Sequence, residues 1–159
     1  MATEPVLAVL EASAVRSRRL ARSTALVDYW ELTKPEINFL IAITAGAGFG
    51  MGAPAEISHF PWTPLLHTLL GTIVVASGAA TLNQLIELQY DAQMRRTARR
   101  PLASGRVAPP HALWFGVLLS VSGVVYLAIS TNALASLLAA LTLLSYLFLY
   151  TPLKRITPL

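Results

Sequence analysis

Residues 107–153 read VAPPHALWFGVLLSVSGVVYLAISTNALASLLAALTLLSYLFLYTPL, 47 residues without one charged side chain. A bilayer-spanning helix needs about 20 mostly apolar residues, so this stretch holds two spans, turned at Ser130-Thr131-Asn132. Upstream, Ile57–Ile86 is a charge-free run of 30 residues and Ile37–Ala55 one of 19. Each holds one span. The expected fold is all-α, a polytopic transmembrane helix bundle with four spans at about residues 35–51, 65–86, 111–129 and 133–150. A basic, flexible arm is expected over residues 1–30.

Composition agrees. Of 159 residues only 13% are charged, about half the ~25% of soluble domains. Hydrophobic residues make up 55% and mean hydropathy is +0.59. A soluble domain of this size has too much surface for so few charges, which excludes soluble enzymes. The net charge of +4 and pI of 9.9 suggest no nucleic-acid partner, because the basic residues sit at membrane edges. With no cysteines, disulfides, zinc–thiolate sites and cysteine nucleophiles are excluded. Glu11 interrupts the apolar patch of residues 6–15, which makes the amino-terminal stretch a poor secretory signal.

Lysine and arginine placement predicts orientation. Five fall in residues 1–34, five in 87–110 and two in 151–159, with none in the connectors 52–64 and 130–132. All 12 therefore lie on alternate sides of a four-span chain. Both termini and the 87–110 loop are expected in the cytoplasm of a bacterial inner membrane, with the mitochondrial matrix as the alternative. Pro35 suits a first helical turn. Gly46, Gly48, Gly50 and Gly52 have the spacing of a helix-packing face. The second helix is expected to continue beyond the membrane to about Arg100, where Pro101 stops it, and Pro152 is expected to end the fourth span.

The chemistry concentrates at the end of the second span. Asn83, Glu87 and Asp91 are spaced four apart, each step rising about 6 Å and turning about 40° on a helix. Two carboxylates on one face at a membrane boundary repel each other. A divalent cation removes that repulsion, and Mg²⁺ takes one or two carboxylates together with substrate phosphate oxygens. Arg96 and Arg100 follow, and guanidinium binds phosphate through a two-pronged fork. A Mg²⁺–diphosphate clamp fits this pattern. So does an ordinary salt ladder, with Asp91 paired to Arg95 and the arginines serving only to orient the chain.

Residues 83–105 read NQLIELQYDAQMRRTARRPLASG. The stretch resembles the first Asp-rich motif of the UbiA superfamily of intramembrane prenyltransferases, N-x-x-x-D/E-x-x-x-D followed by R-T-x-x-R-P-L. Asn83, Glu87, Asp91, Arg96, Thr97, Arg100, Pro101 and Leu102 match it. Glu87, Gln84 and Met94 resemble the haem O synthase (protohaem IX farnesyltransferase) branch, and Ala103 departs from a usual proline. Leu32-Thr33-Lys34-Pro35 is similar to the entry to the family's first helix, and Tyr150 to Lys154 to its Y-x-x-x-K motif.

The resemblance implies farnesyl transfer from farnesyl diphosphate to the vinyl group of haem B, giving haem O, in a membrane-lipid setting. It implies Mg²⁺ held by Asn83, Glu87 and Asp91. Diphosphate would bind Asn83, Arg96, Arg100, Lys154 and Lys34, with Asp91, Glu87 and Lys154 the catalytic set. Lys34 also suits plain anchoring at the positive side. The family carries a second Asp-rich motif in a later half, whereas no acidic residue follows Asp91 here. The expectation is an amino-terminal half that needs its missing carboxy-terminal half as a partner. Two alternatives stand beside this reading: another UbiA-type aromatic prenyltransferase, and a non-catalytic four-helix membrane subunit. His59, His67 and His111 read as interfacial residues rather than iron ligands, and Trp30, Trp62 and Trp114 as interfacial anchors.

Overall fold

The computed structural model describes residues 24–54 and 59–156. Of the expected arm, residues 1–23 lie outside the described residues, and residues 24–32 form a helix, α1. It is followed by α2 (Pro35–Gly52), α3 (Trp62–Ile86), a single turn α4 (Leu88–Asp91), α5 (Pro109–Ser130) and α6 (Ala133–Ser145). A π-helical segment, Tyr146–Tyr150, joins α6 to α7 (Thr151–Ile156). There is no strand among the described residues.

Among the described residues three helices are long and apolar enough to cross a membrane: Trp62–Ile86, Pro109–Ser130 and the continuous run Ala133–Lys154. The first expected span, α2, is not among them. Its 18 residues include Pro35, Glu36, Asn38 and four glycines near its end, which dilute its apolar character.

The pairing of α3 with α5 organises the bundle. A Cβ on Gly71 would lie 2.5 Å from Leu127, and one on Gly123 would lie 2.8 Å from the Val75 backbone nitrogen. A Cβ on Gly78 would lie 2.7 Å from the Ser120 nitrogen and 2.8 Å from the Gly116 carbonyl. As contacts move forward along α3 they move backward along α5, so the two helices are antiparallel. The small residues let the backbones meet directly, which is how helices associate when lipid removes the hydrophobic drive between them. By the same test α2 runs antiparallel to α3: Asn38 Nδ2 donates to Ser77 Oγ at 2.7 Å, and Gly46 faces Leu69. Asn132 caps α6 by accepting from Ala135 N–H at 2.7 Å, and Ser136 donates to the Val124 carbonyl at 2.8 Å, holding α5 and α6 as a hairpin.

Three expectations change. The packing glycines are Gly71, Gly78, Gly116 and Gly123; Gly48, Gly50 and Gly52 face open space. The second helix stops at Ile86 rather than near Arg100, because Glu87 takes φ −90° and ψ 3° and α4 adds only one turn. Residues 92–108 are turns. Pro152 does not end the fourth helix. The π segment before it opens the hydrogen-bond ladder just where the proline ring would strike the carbonyl four residues back, and helix continues to Ile156.

The turns of 92–108 are packed rather than loose. Leu102 and Val107 join Leu32 and Ala112 in a buried cluster, with Tyr29, Leu85 and Leu88 against it. Arg106 pairs with Asp28 at 2.7 Å and Glu31 at 3.2 Å, tying this segment to α1.

The α3–α5 contact gives a paired prediction. Gly78→Ala forces a methyl group onto the α5 backbone and should destabilise the bundle by about 1–3 kcal/mol. Gly48→Ala meets nothing and gains the better helix former, with an expected effect of about zero to 1 kcal/mol in the stabilising direction. Unfolding midpoints of the two variants in detergent micelles check both signs.

Candidate active site

Antiparallel α2 and α3, with α6 returning alongside α3, bring four chain segments to one end of the bundle. These are the start of α2, the α3–α4 junction, the 92–108 turns and the π–α7 segment. The corner before α2 is built tightly. Gln84 Nε2 donates to the Leu32 carbonyl at 3.1 Å and Asn38 Nδ2 donates to the Thr33 carbonyl at 2.9 Å. Lys34 is held there in the left-handed region, φ 51° and ψ 64°, a conformation costing a non-glycine residue of order 1–3 kcal/mol. Pro35 also disfavours the right-handed alternative at Lys34.

The acidic residues are buried and compensated. Glu87 is 6% exposed and Asp91 3%. Lys154 Nζ lies 2.5 Å from Glu87 Oε1, and an Arg100 guanidinium nitrogen lies 2.6 Å from Asp91 Oδ2. Burial pushes the Glu87 carboxyl up, but the hydrogen bond and charge of Lys154, the Asn83 amide and the Lys34 charge together outweigh it and hold the group below the usual carboxylate range. Lys34 is displaced the other way. Burial and the Arg100 charge lower its ammonium pKa, against the opposing pull of Glu87 and Asp91. The same charges reach Lys34, Glu87, Asp91, Arg100 and Lys154, so these five residues form one electrostatic cluster.

Asn83 is 2% exposed. Its Nδ2 donates to Glu87 Oε2 at 2.9 Å, while its oxygen faces the Thr151 hydroxyl at 2.8 Å. The motif from Arg96 to Leu102 divides by burial. Thr97 is 3% exposed and donates to the Asp91 carbonyl at 2.9 Å. Pro101 and Leu102 are buried, and Arg100 turns inward onto Asp91. Arg96 and Arg95 are exposed, and Asp91 takes Arg100 as its partner, not Arg95. Thr151 and Asn38 have no part in the sequence motifs above, and Gln84 enters them only as a mark of the branch. Each is polar, buried and set in an apolar run, and that is the signal that could have found them.

A cavity of about 550 Å³ runs away from this cluster between α2, α3 and α6. Its body is lined by apolar residues such as Ile41, Val75, Ala79, Leu138 and Leu143, and Lys34 and Tyr146 stand among its walls. The arrangement accepts a ligand with an anionic head and a long apolar tail. The donor chemistry also suits a hard cation. Two buried carboxylates, each now neutralised by a side-chain cation, supply the oxygen ligands Mg²⁺ prefers, so Glu87 and Asp91 would hold it. Among the described residues no group of three or more His, Cys, Asp or Glu converges on one point. The histidines stand apart from the cluster: His111 is exposed, and His67 Nδ1 lies 2.6 Å from the Tyr126 hydroxyl.

Comparison with known proteins places the chain among prenyltransferases by sequence. The chain is 48% identical over 136 residues to a protoheme IX farnesyltransferase of Solibacter usitatus, covering 82% of this chain and 47% of the relative. It is 46% identical over 132 residues to that of Stutzerimonas stutzeri, covering 82% of this chain and 43% of the relative. It is 41% identical over 131 residues to the mitochondrial protoheme IX farnesyltransferase of Arabidopsis thaliana, covering 82% of this chain and 30% of the relative. The chain thus spans less than half the length of these relatives. No solved structure matches. The model of the UbiA prenyltransferase family matches residues 39–159. That match takes in every residue of the charge cluster but Lys34, and the chain belongs to the UbiA prenyltransferase family.

Proposed function

We propose that the protein farnesylates haem B, using farnesyl diphosphate and yielding haem O. One observation carries the prenyl-diphosphate part: a charged cluster containing three cations and two carboxylates opens onto an apolar cavity of about 550 Å³. An isoprenoid diphosphate has the matching division into an anionic head and an apolar tail. The choice of haem as acceptor rests on what the relatives are named for, protoheme IX farnesyl transfer.

The chain's own residues have distinct tasks in this reading. Lys34 and Lys154, with Arg100, meet the diphosphate oxygens, while Glu87 and Asp91 hold Mg²⁺, with Asn83 beside them. Arg96, exposed at the rim, meets the diphosphate as it enters. Bound Mg²⁺ would add positive charge where the leaving group gathers negative charge, the usual place for an enzyme to lower such a barrier. The C1–O bond breaks with its electron pair going to the diphosphate. The allylic carbon joins the outer carbon of the vinyl group, water supplies a hydroxyl to the inner carbon, and a proton is released. Apolar walls keep water from the allylic cation before the acceptor reaches it.

In this reading α2 also crosses the membrane, as the first of four spans. Its 18 residues reach about 27 Å at 1.5 Å per residue, close to the ~30 Å hydrocarbon core. The cluster then faces the cytoplasm or matrix, in keeping with the placement of lysine and arginine.

Two measurements test the assignment. Membranes bearing the protein, supplied with haem B, farnesyl diphosphate and Mg²⁺, should yield haem O on chromatography of the extracted haem. Asp91→Asn should lower that yield by 100-fold or more, on the order of the loss of a key electrostatic group, while leaving membrane insertion intact. Haem O at the wild-type level in that variant overturns the role given to Asp91. The second measurement is pH dependence. Glu87 is held low, so the interaction with Lys154 is fully present above the ordinary carboxylate pKa and is lost as pH falls through the depressed one. Lys154→Met removes the main influence opposing burial. The acid limb of Mg²⁺-dependent pyrophosphate binding should therefore move to higher pH than in the wild type.

A further inference from the structure

Thr151 is fully buried, yet it carries a hydroxyl between two acceptors. Its Oγ1 lies 2.8 Å from Asn83 Oδ1 and 2.8 Å from the Tyr146 carbonyl. A hydroxyl has one proton to give. The Tyr146 carbonyl already accepts from the Thr151 backbone N–H, the bond that closes the π segment. Among the described residues, Asn83 Oδ1 has the Thr151 hydroxyl as its hydrogen-bond donor and no other. A buried amide oxygen is rarely left without a partner, so the proton belongs to Asn83.

That bond also fixes which way the Asn83 amide points. Glu87 Oε2 only accepts, so the atom facing it at 2.9 Å must be Nδ2. The result is a directed relay from the Thr151 hydroxyl through the Asn83 amide to one oxygen of Glu87. Lys154 holds the other oxygen at 2.5 Å. Thr151 and Lys154 are three residues apart on α7, a spacing that puts both on one helix face. The relay thus leaves α7, passes through Asn83 on α3 and Glu87 at the α3–α4 junction, and returns to α7.

We infer that Thr151 is a positioning residue of the diphosphate site, orienting the Glu87 carboxylate through Asn83; this rests on the prenyl-diphosphate reading above. Asn83 then acts as the link in the relay, its oxygen engaged by Thr151. Valine at 151 keeps the shape and removes the donor. The amide oxygen is then buried without a donor, and the amide loses the contact that fixes its angle toward Glu87.

The test uses the intact protein in lipid nanodiscs, titrated calorimetrically with inorganic pyrophosphate in the presence of Mg²⁺. Thr151→Val should weaken binding about 10-fold, the scale of one unsatisfied buried group. Thr151→Ser, which keeps the hydroxyl, should stay within about 2-fold of wild type. Asn83→Ala should weaken binding as well, and adding Thr151→Val to it should cost nothing further, because the relay is already cut. A residue that merely packed would give additive losses and no rescue by serine. If Thr151→Val fails to fold, Thr151→Ala, which also lacks the donor, carries the same expectation. Wild-type affinity in the valine variant, failure of serine to rescue, or additivity in the double variant overturns the positioning role alone. A wild-type protein that binds no pyrophosphate overturns the diphosphate reading and this inference with it.

Discussion

A carboxylate withdrawn from water must have its charge met, and much of this structure is the consequence of meeting it twice. Glu87 and Asp91 are both nearly inaccessible, in a chain that offers lipid and apolar side chains on most sides. An isolated buried carboxylate would take up a proton instead of remaining charged. Lys154 pairs with Glu87 and Arg100 with Asp91, and these cations come from segments that can reach the α3–α4 junction only if the chain is folded as it is. The antiparallel α5–α6 hairpin returns the chain to the end of α3 carrying Lys154. The packed turns of 92–108 fold Arg100 back over Asp91. Such pairs contribute little net stability once desolvation is counted. Their value lies in holding charged groups ready for a ligand that offers charges of its own.

The family motif divides into chemistry and support. Thr97, Pro101 and Leu102 are inside the protein, and their contacts are with the backbone of Asp91 and with a small apolar cluster. They keep Arg100 aimed inward. Arg96, one residue before Thr97, stays outside. A run of matched letters therefore covers two kinds of constraint, and only burial separates them. The Lys34 corner repeats the theme. Gln84 and Asn38 bind the Leu32 and Thr33 carbonyls just before it, so an energetically costly backbone conformation is held by neighbours that themselves carry no charge.

Much of this was legible in the sequence. Charge-free runs located α3, α5 and α6 because a membrane span has a length set by the bilayer and a composition set by its interior. The convergence of Lys34, the 83–100 segment and Lys154 on one end followed from counting spans. Other features were hidden. The break at Glu87 was not visible because its residues are good helix formers; the buried ion pairs formed with Lys154 and Arg100 are tertiary, and they override local preference. The packing glycines were misplaced because spacing alone cannot tell which face meets a neighbour. Gly48 to Gly52 have the better pattern, yet Gly71, Gly78, Gly116 and Gly123 make the contacts. Asp91 chose Arg100 over Arg95 for a related reason: once the helix stops, proximity along the chain no longer decides proximity in space.

The π segment at Tyr146–Tyr150 bears on how the carboxy-terminal motif should be aligned with others. Each residue of an α-helix advances the next by about 100° around the axis. Removing one residue from this segment would carry Thr151 and Lys154 that far away from Asn83 and Glu87, although Tyr, Pro and Lys could all persist in the text of the sequence. Adding one would do the same in the opposite sense. Two chains can thus share these letters and differ in whether a lysine reaches the carboxylate. The quantity that must be preserved is the angular phase at which α7 leaves the membrane, and one residue is enough to lose it.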